Sequence, residues 1–342
     1  MTRARGQIIS LDETPYYHCM ARCVRRAFLF GTDSVGGRCY DHRKAWVEDK
    51  LAFLAEVFAI DVCAYAVMSN HYHLVLRVDV ELAQSWSMNE VVERWLSFFS
   101  GNPLVHRYLS EDELSKAELA KVAEFAEIWR ERLMDISWFM RILNESIARM
   151  ANQEDECKGR FWEGRFKSQA LLDEAAVLAC MAYVDLNPIR AGVAQLPEES
   201  DFTSIQQRLF ELADRGVGRP KKKEKHKTSD VVLKKPKLLP FNQGTELKEG
   251  EKALPFSLVD YAELLDWTGR AVRQDKRGSI PESAPPILNR LNMSAQSWLE
   301  YVPKIESSFN HAIGHRDTLK QLAKKLGLNW MHGQRSSKLF YC

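Results

Sequence analysis

The sequence predicts an α+β fold: an antiparallel sheet with helices on it, a helical insertion, and a small all-α C-terminal domain. Three features point there. Residues 14–24 and 61–76 alternate as strands, and an amphipathic helix at 43–59 separates them. Ser69-Asn70 joins two strands through a turn so short that they must form an antiparallel hairpin. Residues 80–135 then change to a helical period. At 342 residues, 45% hydrophobic and 27% charged, the chain has room for two ordinary globular domains.

In the first strand, Tyr16, His18, Met20 and Arg22 share one face, and Tyr17, Cys19, Ala21 and Cys23 the other. A loop at 25–37 carries Arg25 and Arg26. Trp46, Val47, Leu51, Leu54, Ala55 and Phe58 make the stripe of the first helix. The hairpin follows. The 80–135 stretch has Val91, Trp95, Phe98, Val122, Phe125 and Trp129 at helical spacing, with a break at Gly101-Asn102-Pro103. Its eleven acids against six bases, from Glu81 to Asp135, make it an unsuitable surface for a phosphate backbone, so it is expected to pack beside the core as an insertion. A helix over 137–150 returns the chain to the sheet. The piece from Arg160 to Leu172 is expected as a fourth strand bearing Arg160, Arg165 and Lys167. Asp173 is the expected N-cap of a helix at 174–186, which should end near Asn187 because Pro188 follows. Strand, helix, strand, strand, helix, strand, helix suggests a ferredoxin-like sandwich, with the first and third strands as central neighbours and His18 beside His71 and His73.

The expected units are 7–215, a basic flexible linker at 216–254, and a helical domain at 255–342. Between 219 and 238 stand nine Lys/Arg, two acids and no aromatic residue. This composition suits either a salt-sensitive phosphate-binding arm or a solvated tether. Helices are expected near 257–273, 295–313 and 316–327. No apolar run approaches the ~18 residues of a membrane span. The N-terminus has no apolar segment of a secretory signal, and the seven cysteines are scattered, so a cytoplasmic protein is expected.

Two stretches carry chemistry. In Ser69-Asn70-His71-Tyr72-His73-Leu74, the histidines at i and i+2 face the same way. Alone, this is equally a metal site or a polar strand face. Tyr183 and Asn187, one helical turn apart, share a face with the small residues Ala176, Ala179 and Cys180. Alone, this is a buried tyrosine with a C-terminal Asn cap. Together, two imidazoles and an amide offer neutral ligands to a divalent ion that would act as a Lewis acid on a phosphodiester, and Tyr183 offers a nucleophile.

Four motifs in order carry a resemblance. They are Tyr17-His18-Cys19-Met20-Ala21-Arg22, Val67-Met68-Ser69-Asn70-His71-Tyr72-His73-Leu74, Gly159-Arg160-Phe161-Trp162-Glu163-Gly164-Arg165-Phe166, and Tyr183-Val184-Asp185-Leu186-Asn187-Pro188-Ile189-Arg190-Ala191-Gly192. Across roughly residues 7–195 the chain resembles the HUH-type single-tyrosine transposases, the insertion-sequence-200-like family, and most closely their REP-associated branch. The resemblance implies a ferredoxin-like domain that cuts single-stranded DNA near hairpins. It further implies Tyr183 as the nucleophile of a 5′-phosphotyrosine intermediate, His71 and His73 as ligands of Mg²⁺ or Mn²⁺, and Asn187 as the third ligand. Ser69 departs from the family's usual proline, and the 80–135 insertion departs in length. Arg22, Arg25, Arg26, Arg160, Arg165 and Lys167 are the bases expected at the DNA, with Trp162 either stacking on an unpaired base or packing in the core. The expected partner is single-stranded or hairpin DNA, with no membrane; monomer and homodimer stay equally open. A hairpin-binding regulator that does not cut, and an unrelated metallohydrolase built on the two histidines, are the alternatives.

Overall fold

The computed structural model describes residues 10–24, 30–31, 37, 39–217, 234–242, 252–272 and 285–341. Arg25, Arg26 and the stretches 218–233 and 243–251 of the expected linker lie outside the described residues. The fold is α+β. Strands β1 (Tyr16–Arg22), β2 (Ile60–Val67), β3 (His71–Val78), β4 (Lys167–Leu171) and β5 (Ala312–Ile313) form one sheet in the order β2-β3-β1-β4-β5. The first four are antiparallel neighbours in the ferredoxin-like order; β5 joins β4 in parallel.

Register decides which side chains meet. Arg22 lies opposite His71, Met20 opposite His73, His18 opposite Val75 and also opposite Gln169. These residues therefore share one face, and Tyr17, Cys19, Tyr72, Leu74 and Leu76 share the other. The second face is covered by α1 (His42–Val57) and α6 (Ile136–Glu154). Tyr72 donates from its hydroxyl to Asn144 Oδ1 at 2.7 Å, and Tyr65 donates to Glu48 Oε1 at 2.7 Å, so the apolar face is pinned at both helices by buried phenols.

The insertion folds as α2 (Val80–Ser85), α3 (Met88–Leu96), α4 (Pro103–Leu109) and α5 (Lys116–Leu133). Ser87 with Glu90, and Ser115 with Glu118, close capping boxes at the starts of α3 and α5. The Trp95 and Trp129 rings stack at 5.6 Å, and Phe98 meets Phe58 at 5.7 Å. Arg94 donates to the Glu56 and Val57 carbonyls at the end of α1, which otherwise have no helical partner. The acidic insertion is thus fastened to the helical layer of the Tyr72 face, away from the histidines.

On the histidine face lies α7 (Glu174–Asp185). Asp173 caps it as expected, accepting from Ala176 N at 2.8 Å. Every residue from Ala175 to Asp185 is buried. The alanines are small because α7 is sandwiched between the sheet and later parts of the chain, α10 (Leu258–Val272), the 3₁₀ turn at Val302–Lys304 and α13 (Ile305–Ser308) among them. The small-residue stripe is therefore filled by packing.

Three more elements differ from expectation. The fourth strand starts at Lys167, not at Arg160. Phe161 and Trp162 are both buried, but the chain here makes no ladder: Trp162 forms only an isolated bridge, to Cys23, and bends follow it. The stretch expected as one helix at 295–313 is broken into α12 (Ala295–Tyr301), a 3₁₀ turn at Val302–Lys304 containing Pro303, α13 and β5. Among the described residues, the regular structure of the C-terminal part is therefore helical except for β5. Residues 234–242 of the expected linker run along β2, with Leu239 N donating to the Val62 carbonyl at 2.9 Å and Leu238, Leu239 and Phe241 buried. Leu319, Leu322 and Ala323 of α14 (Arg316–Lys325) are core residues.

Asp185, fully buried, ties α7 to α9 (Ser204–Val217) and α10. It accepts from Ser204 Oγ at 2.5 Å, Ile205 N at 3.0 Å and the Tyr261 hydroxyl at 2.6 Å. Burial still raises its carboxyl to about 6. A folded pKa above the unfolded one means that the fold keeps a proton which the unfolded chain has released, so stability falls as pH rises between them. In urea unfolding, the stability advantage of the wild type over Asp185→Asn should shrink by about 2 kcal/mol from pH 4 to pH 7. A constant difference would mean that the carboxylate is fully solvated by its donors.

Candidate active site

His18, His71, His73 and Tyr183 come together between the sheet and α7. The His18 and His73 rings stack at 5.1 Å, His71 meets His73 edge-on at 4.9 Å, and Tyr183 meets His73 edge-on at 5.4 Å. His18 and His73 are neighbours because β1 and β3 are antiparallel in this register, one pair out of step.

A chain of hydrogen bonds assigns the protons. Gln169 Nε2 donates to the Phe309 carbonyl at 2.8 Å, which turns Gln169 Oε1 toward His18 Nδ1 at 2.9 Å. His18 therefore carries its proton on Nδ1, and its Nε2 accepts from His73 Nδ1 at 2.9 Å. His73 Nε2 is left with a lone pair, buried and without a partner. His71 is set in the same way by Asn70 Oδ1, 2.5 Å from its Nδ1. Both histidines of the His-Tyr-His triplet thus present Nε2 lone pairs, the form that binds a metal, and each is held by a second residue.

Electrostatics keep these rings neutral. Burial, then the Arg22 charge, lowers His71 to about 4. Burial, then His18 and His71, holds His73 well below its usual value. The Tyr183 phenol is pushed up to about 12, first by burial and next by the charge of Glu306. Its hydroxyl donates to Glu306 Oε2 at 2.9 Å, and the Arg190 guanidinium lies 4.4 Å from its ring centre.

Asn187 is not on the same helix as Tyr183. Helix α7 ends at Asp185, and Asn187 opens α8 (Asn187–Arg190), because Pro188 has no N–H with which to continue the ladder. Asn187 is buried and its Nδ2 has no partner. A half-turn of the amide would place a carbonyl oxygen there instead. Among the described residues no three His, Cys, Asp or Glu side chains stand together as a metal cluster. A divalent ion held by the two Nε2 atoms would thus need a donor of another type, the part for which the sequence suggested Asn187. The orphaned His73 Nε2 and the neutral rings fit such an ion.

Arg22 ends β1 opposite His71, its Nε buried and unpaired. Arg160, Arg165 and Lys167 are exposed. Trp162 is occupied by the core: its ring meets Tyr72 at 5.5 Å and its N–H donates to the Asn144 carbonyl at 2.8 Å. Sequence reasoning missed Gln169, Arg190 and Glu306. Gln169 was findable from strand register; Arg190 lies past the break between α7 and α8, so helical spacing from Tyr183 does not place it. Glu306 has no local signal.

No protein-family model matches the chain, and no curated protein does. Among solved structures, that of a REP-associated tyrosine transposase bound to a REP hairpin is similar, at 12% identity over 70% of this chain and 99% of that one, with a TM-score of 0.35. No helix among the described residues is long and apolar enough to cross a membrane.

The proton assignment is testable by ¹⁵N NMR of the metal-free chain. His71 and His73 should both show the Nδ1–H tautomer, and His71 should stay neutral until the pH falls to about 4. Arg22→Gln removes a positive charge that opposes the imidazolium, so the midpoint should rise. An Nε2–H tautomer at His73 would contradict the relay.

Proposed function

We propose that the chain is a metal-dependent single-stranded DNA endonuclease and strand transferase, acting at hairpin-forming DNA through a phosphotyrosine intermediate on Tyr183. The observation that carries this reading is the pair of Nε2 lone pairs on His71 and His73 set against the Tyr183 ring, itself under Arg190. Nε2 of His71, Nε2 of His73 and the Asn187 amide would hold the ion, Mg²⁺ or Mn²⁺. When bound, it supplies Lewis-acid polarisation of a phosphate oxygen. Three neutral donors leave its charge undiminished for a phosphodiester.

Tyr183 Oη forms the new bond to phosphorus, and the bond from phosphorus to the 3′ oxygen breaks. The 5′ phosphate stays on Tyr183, and the ester keeps its transfer potential, so a 3′ hydroxyl can reverse the step without a nucleotide cofactor. Arg190 lies where it can offset charge as the phenol loses its proton. Arg22, Arg160, Arg165 and Lys167 would take the flanking phosphates, as positioning contacts indifferent to sequence.

A hairpin-binding protein that does not cut is the second reading. One observation favours it: Tyr183 is 5% exposed and already hydrogen-bonded.

The readings separate on a denaturing gel after incubation with labelled hairpin-bearing single-stranded DNA and Mn²⁺. A covalent adduct should form, vanish in Tyr183→Phe, and be lost on chelation or in His73→Ala. An adduct persisting in Tyr183→Phe would place the nucleophile elsewhere. Tight hairpin binding without adduct would select the binding protein.

A further inference from the structure

We propose that Glu306 is the catalytic proton acceptor for the Tyr183 hydroxyl, brought to the site by the C-terminal part of the chain. This rests on Tyr183 being the nucleophile.

The geometry distinguishes Glu306 from its neighbours. Tyr183 Oη is 2.9 Å from Glu306 Oε2. The nearby imidazoles are committed: His18 uses Nδ1 on Gln169 and Nε2 on His73, His71 uses Nδ1 on Asn70, and His73 uses Nδ1 on His18. The remaining Nε2 atoms of His71 and His73 are those assigned to the cation. Among the described residues, Glu306 is the base left over.

Glu306 also connects the buried phenol to the surface. Its other oxygen, Oε1, lies 3.9 Å from Lys167 Nζ, and the side chains of Glu306 and Lys167 are 27% and 74% exposed. A proton received at Oε2 therefore has a way out past Lys167. If the phenol needed only a structural partner, a neutral carbonyl would serve without the desolvation cost of a carboxylate. Placement is firm: Glu306 is on α13, between the 3₁₀ turn at Val302–Lys304 and Phe309, whose carbonyl accepts from Gln169.

The step balances without another reactant. As Oη bonds to phosphorus, its proton moves to Glu306 Oε2. The bond from phosphorus to the 3′ oxygen breaks, and that oxygen leaves with the electron pair and takes a proton from solvent. In the reverse transfer, a 3′ hydroxyl attacks, its proton goes to solvent, and Glu306 returns its own to the departing phenolate.

The test measures single-turnover adduct formation by the full chain on a labelled hairpin-bearing oligonucleotide with Mn²⁺, from pH 6 to 9. Glu306→Gln should slow adduct formation by ~10²–10⁴-fold at pH 7. Its rate should climb with pH across the range where the wild type levels off. Glu306→Asp should restore part of the rate, and hairpin affinity should be unchanged in both variants. A Glu306→Gln rate at or above that of the wild type would overturn the proposal and make the contact a restraint on Tyr183. So would a rate loss matched by lost hairpin binding or a lowered melting temperature. If the wild type forms adduct and Tyr183→Phe does not, such outcomes count against Glu306 alone. No adduct from the wild type removes the Tyr183 reading as well.

Discussion

The hydrogen-bond chain from the Phe309 carbonyl through Gln169 and His18 to His73 is the constraint on which the rest depends. It runs across three neighbouring strands and into the C-terminal part of the protein. Each member is buried, so an error at any one leaves an unpaired polar atom where none can be solvated. It explains why β1 must sit between β3 and β4, since only a central strand can pass a hydrogen bond from one neighbour to the other. It also gives the buried glutamine at position 169 its role: its amide donates to the Phe309 carbonyl at one end and accepts from His18 at the other.

The two faces of the sheet have different tasks. The Tyr72 face is apolar, is pinned by phenols to α1 and α6, and carries the acidic insertion at its periphery. The histidine face is polar, and α7 is pressed upon it and covered in turn by later parts of the chain, so that all its sides are buried. That arrangement keeps net-negative surface remote from the cluster of Arg22, Arg190 and Lys167. Asp173 joins the ends of this layer. It caps α7 and also accepts from His315 N at 2.7 Å and the Tyr341 hydroxyl at 2.8 Å. The approach is tight there: a Cβ on Gly314 would stand 2.8 Å from Leu172 Cβ.

Much of the sheet was legible in the sequence because period-two alternation and the Ser69-Asn70 turn are local signals. So were the Asp173 cap and the break at Gly101-Asn102-Pro103. The arrangement of His18 beside His73 followed once the strand order was inferred. The start of β4 was misread because Phe161 and Trp162 are aromatic and strand-like individually, while the bends at 163–165 that interrupt the pairing leave no strong local signal. The helix does stop before Pro188 as expected, but Asn187 opens a separate turn instead of continuing the face of Tyr183. Glu306 could not be seen at all: 123 residues separate it from Tyr183, and nothing near it in sequence marks it. Residues 234–242 show the same limit, since a lysine-rich stretch hides the few apolar residues that hold it to β2.

The parallel pairing of β5 with β4 has a consequence for how the molecule is made. Ala170 N donates to the His311 carbonyl at 2.9 Å and Leu172 N to the Ile313 carbonyl at 2.9 Å, so the outer edge of β4 is closed by residues synthesised about 140 positions later. During that interval a nascent chain holds β1, β2, β3 and β4 with one edge open, Gln169 unanchored and Tyr183 without its acceptor. Parallel pairing over so long a separation is also slow, because the closure entropy must be met before any contact rewards it. The histidine–tyrosine cluster is therefore among the last parts of this protein to acquire its final form, although most of its residues are among the first to be made.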